Sequence, residues 1–273
     1  MSIEEARRDV DSKRRSFGDE HPETLDSLSR LATELRDAGQ YQRARDAVEE
    51  LIRMRYRLYP NDEYAIQRLT LILGTVLLAL GDLSSARILE EGVLESQDRM
   101  YGSDSVSSLT AARHLSNTLR KMGDYPELAN VQQRILDSLL RTIGEAHADT
   151  LLAMSQLAET RRSLGDFESA MDLDTMVIEI AERHEFNPRT AIEAKCRLFS
   201  DLTQLKEYDA RLVILLQIFE ESEEHLPKAD PLRKRISRAR RLAKPFLKVL
   251  ERAAKSGEPV DASHIRLRLP DSI

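Results

Sequence analysis

The chain has 273 residues, of which 32% are charged and 41% hydrophobic, and its ten glycines and nine prolines are too few for a fold built of many strands and turns. Its formal net charge of −6 argues against a general binder of nucleic acid or membrane surfaces. The single cysteine, Cys196, excludes an intrachain disulfide and a cysteine-based zinc site and suits a reducing compartment. We therefore expect an all-α protein of the cytoplasm.

Residues 1–17 are the first predicted element, a helix without a partner. Their opening stretch, MSIEEARRDV, is acidic and polar and lacks the apolar core of a signal peptide. When the chain is aligned on its repeat, this helix takes the place of a second helix whose first helix is missing. We interpret it as an N-terminal capping helix or as the remnant of an upstream repeat.

The following residues predict a helical hairpin. Apolar residues recur three and four positions apart from Leu25 to Leu35, which indicates an amphipathic helix. Gly39 ends this helix, since glycine adopts the left-handed conformation that closes many helices. A second apolar series, from Ala44 to Leu58, predicts the second helix of the pair.

This hairpin recurs with a period of 42 residues. The glycines of the hairpin turns follow that period, and so do the links between hairpins. The turn glycines are Gly39, Gly81, Gly123 and Gly165, and the links contain Phe17-Gly18, Tyr59-Pro60, Tyr101-Gly102 and Ile143-Gly144. We predict full hairpins over about 19–59, 61–101, 103–143 and 145–185. A divergent fifth hairpin over about 187–226 lacks the glycine.

The repeat is similar to the tetratricopeptide repeat. Each first helix has a small residue (Ala32, Gly74, Ser116, Ala158), the turns read glycine-x-aromatic or leucine, and alanine usually follows three residues later. The 42-residue period and the link G-x-x-H-P-x-T-L at Gly18 resemble the kinesin-light-chain-like subtype. The resemblance, over about residues 1–225, implies a right-handed superhelical solenoid of antiparallel helix hairpins over 18–226. It also implies a non-catalytic interaction scaffold or adaptor, of the kind found in bacterial signalling proteins, including those with STAND-type NTPase modules.

In such arrays the first helices line the concave face. One position of that face is rich in arginine, reading Arg36, Leu78, Arg120, Arg162 and Gln204 in successive repeats. Guanidinium groups grip carboxylates through two hydrogen bonds, so we predict a groove for an acidic and partly hydrophobic peptide or partner domain. The predicted groove comprises Arg36, Arg68, Leu71, Thr75, Leu78, Arg113, Asn117, Arg120, Lys121, Arg162 and Arg197. The alternative is that the arginines pair with Asp26, Asp37, Glu159 and Asp201 of the same face and stay solvated.

The first helix of the second repeat contains the stretch LTLILGTVLLAL, which is apolar on nearly all sides. Its apolar run, Leu69–Gly81, is shorter than the ~20 residues that span a bilayer, and we expect no membrane attachment. Burial from several sides explains the pattern, and so does an apolar floor of the groove or a surface covered by a partner.

Residues 227–256 predict a basic amphipathic helix that covers the end of the array, with a kink or break at Pro245. Its basic residues favour one of two interpretations. They bind nucleic acid or acidic lipid, or they form a solvated face that the preceding acidic stretch FEESEEH neutralises. The nucleic-acid alternative, a linked regulator, would use Arg233, Lys234, Arg235, Arg238, Arg240, Arg241 and Lys244. We expect residues 257–273 to be an extended or disordered tail.

The candidate catalytic residues are explained without catalysis. His21 and His147 occupy the same link position three periods apart, so we interpret them as helix-start residues that bond backbone groups. Cys196 lies at an inward position of the fifth first helix, which favours burial over nucleophilic chemistry. No spacing of nucleophile, base and acid, and no phosphate-binding glycine loop, is present. We predict no enzyme, no metal and no cofactor.

Overall fold

The structure is a computed structural model that describes the backbone of residues 2–256 and the side chains of residues 2–207 and 210–244. Within that part of the chain there are twelve α-helices and no strand, which confirms the all-α prediction. They are α1 (Ile3–Phe17), α2 (Pro22–Asp37), α3 (Tyr41–Leu58), α4 (Glu63–Leu80), α5 (Leu83–Tyr101), α6 (Val106–Met122), α7 (Tyr125–Thr142), α8 (Ala148–Ser163), α9 (Phe167–Arg183), α10 (Pro188–Gln204), α11 (Tyr208–His225) and α12 (Pro231–Ser256). They group into two compact units, unit 1 over residues 1–138 and unit 2 from residue 139 onward.

The hairpin turns close as the glycine pattern predicts. Gly81 has φ +84° and ends α4, and its N–H donates to the carbonyl groups of Leu77 and Leu78. Asp82 then begins α5 by accepting a hydrogen bond from the backbone N–H of Ser85. A side chain at φ near +80° is disfavoured, which is why glycine recurs at this position.

The links between hairpins explain the repeated histidine. The Nδ1 atoms of His21 and His147 accept hydrogen bonds from the backbone N–H groups of Glu23 and Asp149, at 3.3 and 3.1 Å. The histidines are thus N-caps of α2 and α8, which confirms their interpretation as helix-start residues. Three residues after each capping histidine lies a threonine, Thr24 or Thr150. Its hydroxyl donates to the carbonyl of the link glycine at 2.7 Å.

The fifth repeat is one residue out of register with the other four. Its link and its turn contain Glu185 and Lys206, the two non-glycine residues with positive φ (53° and 63°) among the described residues. Each lies 41 residues after the corresponding glycine, Gly144 or Gly165. Thr203 therefore takes the position of Arg162, and the assignment of Gln204 to that position is wrong.

The core of unit 1 is the apolar seam between its hairpins. Leu25, Val48, Leu51 and Leu69 of α2, α3 and α4 are nearly inaccessible, and Val10 of α1 packs into the same cluster. Ala44 and Ala86, near the hairpin turns, are fully buried, as expected where a larger side chain would separate the paired helices.

In unit 2, α12 closes one apolar cluster together with α10 and α11. Leu232, Ile236, Ala239 and Ala243 of α12 are buried in it beside Phe199. The helix is continuous to Ser256, so a break at Pro245 is wrong, and a kink there stays a prediction. The predicted tail, residues 257–273, lies outside the described residues.

Helix α4 is long and apolar enough to cross a membrane by length and composition, with 18 residues and a mean hydropathy of 1.4. The helix begins at Glu63, six residues before the apolar run Leu69–Gly81, and is therefore longer than that run. Core helices pass the same test, and α4 packs against α3 and α5 and buries Leu69, Leu73 and Val76. The absence of membrane attachment stays a prediction.

Candidate partner-binding surface

The predicted groove residues of unit 1 lie on the first helices α2, α4 and α6. Arg36 on α2 is half-buried, and so are Leu71, Thr75 and Leu78 on α4. The exposed members are Arg68 on α4 and Arg113, Asn117, Arg120 and Lys121 on α6. Helix α4 contacts both α2 and α6, so these side chains share one side of the unit. We call this set the first-helix surface of unit 1.

A shallow cavity of about 410 Å³ opens on this surface between α2 and α4. Its lining residues are Ser29, Arg30, Thr33, Glu34 and Arg36 of α2 and Arg68 and Ile72 of α4. Sequence reasoning did not select Ile72, although it lies one residue from Leu71 in the same apolar run. The cavity thus combines guanidinium groups and one carboxylate with an aliphatic wall.

Acids offset the positive charge of the first-helix surface on α2, where Glu34 and Asp37 lie, but hardly on α4 and α6. Helix α6 contains Arg113, Arg120 and Lys121 but no aspartate or glutamate, and the one acid of α4 is Glu63 in its first turn. Arg36 forms an ion pair with Asp37 at 2.8 Å, an exposed contact of a kind worth about 0–1 kcal/mol. Among the described residues, Arg68, Arg120 and Lys121 form no ion pair. Arg120 makes only a 3.4 Å hydrogen bond to Asn117.

His114 adds a neutral polar group beside these cations. It is half-buried on α6. Burial lowers its pKa, and the charge of Arg36 lowers it further. The imidazole is therefore uncharged at neutral pH and can donate or accept one hydrogen bond at the edge of the surface.

In unit 2 the predicted groove residues Arg162 and Arg197 are held in a buried ion network. Nε and Nη2 of Arg162 donate to the two carboxylate oxygens of Asp201 at 2.7 and 2.8 Å, and Nη2 also contacts Asp174. Arg197 Nε donates to Asp174 at 2.9 Å, and its Nη2 donates to Ser155 at 3.1 Å. Asp174 and Asp201 are 0% and 1% exposed.

This network removes Arg162 and Arg197 from the candidate surface. Their guanidinium groups are bound by two buried carboxylates, and two arginines with two aspartates leave no net charge. Nη1 of Arg162 is buried without a hydrogen-bond partner among the described residues. Burial opposes the charge of Arg162, but the hydrogen bonds that it donates to Asp201 and the nearby charge of Asp174 raise its pKa, so it stays a cation. The alternative pairing with Asp201 and Glu159 (3.7 Å) is therefore the one that the structure contains.

The buried ion network of the fourth repeat depends on Asp174, which sequence reasoning missed. Asp174 shares a repeat position with Val48, Glu90 and Gln132, and all four side chains are buried. The position is apolar only in the first repeat, and in the fourth an aspartate lies twelve residues after an arginine. That acid and base in one hairpin are the signal that could have identified it.

The seven basic residues chosen on α12 have two kinds of surroundings. Arg233 donates to the carbonyl of Leu226, and Arg240 forms an ion pair with Glu223. The other five, Lys234, Arg235, Arg238, Arg241 and Lys244, are exposed. The acidic end of α11 therefore neutralises α12 only in part.

Cys196 lies in the apolar cluster of unit 2, which confirms that it is a core residue. Burial raises the pKa of its thiol to about 12, so almost no thiolate forms at neutral pH. Within the described part of the chain, no group of three or more histidine, cysteine, aspartate or glutamate side chains is arranged to hold a metal ion.

We expect the folded chain to resist labelling of Cys196 by a disulfide reagent such as Ellman's reagent. At pH 8 the reaction should be slower than that of free cysteine by at least 100-fold. It should reach one thiol per chain in 6 M guanidinium chloride, because unfolding exposes the sulfur. Complete labelling within minutes without denaturant would contradict the burial of this residue.

Comparisons with known proteins agree with this architecture. Residues 24–62 and 107–183 each match a family model of the tetratricopeptide repeat. Among solved structures, the nearly identical TPR-like repeats of a Podospora anserina kinesin light chain superpose with a TM-score of 0.66 at 18% identity, covering 76% of this chain and 99% of that one. BtubC (BKLC) from P. vanneervenii gives a TM-score of 0.65 at 15% identity, covering 84% and 93%.

A third structure, a double mutant of MamA RS-1, has a TM-score of 0.54 at 13% identity and covers 76% of this chain and 97% of that one. At such identities the likeness establishes the fold alone. No curated protein sequence matches the chain significantly.

Proposed function

Since this chain carries tetratricopeptide repeats like those of kinesin light chain, we propose that it is a non-catalytic scaffold or adaptor that holds a partner on the first-helix surface of unit 1. Helical repeat arrays of this kind offer extended surfaces and supply binding more often than chemistry. We place this activity in a regulatory system of the bacterial cytoplasm.

The observation that carries the proposal is the composition of the first-helix surface. Arg68, Arg120 and Lys121 have no acidic partner among the described residues, and Leu71, Ile72 and Leu78 are half-buried beside them. Solvated faces of helices usually mix both signs of charge. On α4 and α6 the cations and aliphatic side chains have almost no acid beside them, which instead suits a ligand that brings the acid itself.

The partner that fits is a peptide segment with carboxylates and aliphatic anchors. An arginine can bind a carboxylate through two parallel hydrogen bonds, and hydrogen bonds to charged groups are worth about 1.5–3 kcal/mol. An isoleucine or leucine of the partner would cover Ile72 in the cavity between α2 and α4. Such a ligand would neutralise the surface and bury its apolar part in one step.

The test uses the full chain and a phage-displayed peptide library. We expect peptides selected on the unmodified protein to combine aspartate or glutamate with leucine or isoleucine. The double substitution Arg68→Glu and Arg120→Glu should weaken these peptides at least tenfold, because it replaces two attractions by repulsion. Affinities are measured by isothermal titration calorimetry, and circular dichroism checks that the variant is folded.

A matched control separates this surface from the general charge of the protein. Arg53 and Arg99 are exposed on the second helices α3 and α5, and their replacement by glutamate changes the net charge equally. This control should stay within twofold of the unmodified protein. Selection of basic peptides, or equal losses in the two variants, would rule out the proposed surface.

A further inference from the structure

Over residues 231–244, helix α12 packs against α10 and α11 through one face. Leu232, Ile236, Ala239 and Ala243 are buried in the cluster with α10 and α11. Each residue of a helix advances by about 100°, so these four positions mark a single inward stripe. Because this stripe points into the core, the opposite side of the helix points to solvent.

That opposite face is basic. Lys234, Arg238 and Arg241 fall within an arc of about 60° centred opposite the buried stripe, and Arg235 and Lys244 flank them. All five side chains are exposed, and residues 231–244 contain no acid. We call these five residues the α12 basic face.

The acidic end of α11 does not neutralise the α12 basic face. Glu221 binds the buried Lys195 at 2.5 Å, and Glu223 pairs with Arg240. Arg240 also lies over the ring of Phe219 at 5.7 Å, which keeps it at the side of the helix. Within the described residues, none of the five cationic side chains forms a hydrogen bond or an ion pair.

We propose that the α12 basic face binds the phosphate backbone of duplex nucleic acid. From Lys234 to Lys244 the helix rises about 15 Å, and a duplex carries one charge per ~1.7 Å of its axis. The face is thus long enough to meet several phosphates of one groove edge. The chain as a whole has a net charge of −6, so attraction to a polyanion has to come from a local surface such as this one.

Other anionic partners fit less well. A helix that lies on an acidic membrane needs an apolar face to insert, and that face of α12 is packed against α10 and α11. Single strands bind mainly by stacking bases on aromatic rings, and residues 231–244 contain none. Protein interfaces need buried anchor residues, and Leu242, 57% exposed, is the only large apolar side chain exposed among residues 231–244.

Backbone binding predicts a strong salt dependence and little sequence preference. The experiment measures fluorescence anisotropy of a labelled 20-base-pair duplex with the full chain, from 25 to 200 mM salt. Three to five phosphate contacts should give a slope of about −3 to −4.5 for log K against log salt. Two unrelated duplex sequences should bind with the same affinity within about twofold. No binding at 25 mM salt would overturn the proposal.

Charge variants then locate the site. The substitution Arg238→Glu with Arg241→Glu should reduce duplex affinity at least tenfold at 50 mM salt. The control, Arg7→Glu with Arg8→Glu on α1, changes the net charge equally at two exposed residues and should stay within threefold. Equal losses in both variants would overturn the proposal, as would binding to phosphatidylserine vesicles without binding to the duplex.

Discussion

Replacing Asp174 by alanine is expected to lower the free energy of unfolding by about 3–5 kcal/mol. Asp174 is fully buried and accepts hydrogen bonds from both Arg162 and Arg197. Removing one member of a buried, neutral ion network leaves an uncompensated charge in the interior, and losses of this size are typical. Urea denaturation at pH 7, followed by circular dichroism at 222 nm, measures the change.

Asp172 offers a matched control on the same helix. It is exposed, two residues before Asp174, and its replacement by alanine should change stability by no more than about 0.5 kcal/mol. Both variants remove one carboxylate from α9, so their difference isolates the buried network. If Asp174→Ala costs less than 1 kcal/mol, Arg162 and Arg197 are solvated and return to the list of candidate binding residues.

The architecture was predictable because the turns repeat. Glycine at the hairpin turn and an apolar stripe on each helix are local signals, and they recur often enough to fix the period without knowledge of any contact. The helix starts were also predictable, since the link histidines cap the helices through atoms two residues away.

The register of the fifth repeat was not predictable from the period. One residue is missing before the link between the fourth and fifth hairpins, and the glycines that would reveal the loss are absent from that link and from the following turn. Glu185 and Lys206 adopt positive φ in their place. The backbone conformation of the link and the turn is therefore kept although the glycine is not. As a result α10 is shifted by one residue, which moves Thr203 rather than Gln204 into the arginine position.

The candidate binding residues show why a repeat position alone does not decide a role. Arg36, Arg120 and Arg162 are equivalent in the repeat, but their environments differ because of residues twelve positions later. That later position holds Val48, Gln132 and Asp174, respectively. Only the aspartate pairs with its arginine, so Arg162 turns into the core while Arg120 stays exposed. Sequence periodicity assigns the arginines to one repeat position, but the packing around each of them decides whether it is buried or exposed.

The second repeat reverses this arrangement and leaves a carboxyl without an arginine. Its arginine position holds Leu78, and the partner position holds Glu90. Glu90 is 1% exposed, and neither of its oxygens has a hydrogen-bond partner among the described residues. It occupies the space that a side chain at Gly74 would fill, since a Cβ there would come within 2.8 Å of Oε1. Burial raises its pKa to about 7, opposed by the nearby hydroxyl of Thr118, which does not meet hydrogen-bond geometry with either oxygen.

Raising the pH is therefore expected to destabilise the protein through Glu90. The folded state holds the proton up to about pH 7, whereas the unfolded chain releases it near pH 4.5. Below pH 4.5 the carboxyl is neutral in both states and its contribution is fully present. Between pH 4.5 and 7 the stability falls, by roughly 3 kcal/mol in all at 1.36 kcal/mol per pKa unit, and above pH 7 it levels off.

The substitution Glu90→Gln isolates this effect because glutamine keeps the size of the side chain and has no charge to lose. At pH 4 the variant should match the unmodified protein in urea denaturation, and at pH 8.5 it should be more stable by roughly 3 kcal/mol. Glu95→Gln, exposed on the same helix, should follow the unmodified protein at both values. Parallel pH profiles for the unmodified protein and Glu90→Gln would mean that water or a rearranged side chain solvates this carboxyl. The glycine at position 74 would then need an explanation other than the space that Glu90 takes up.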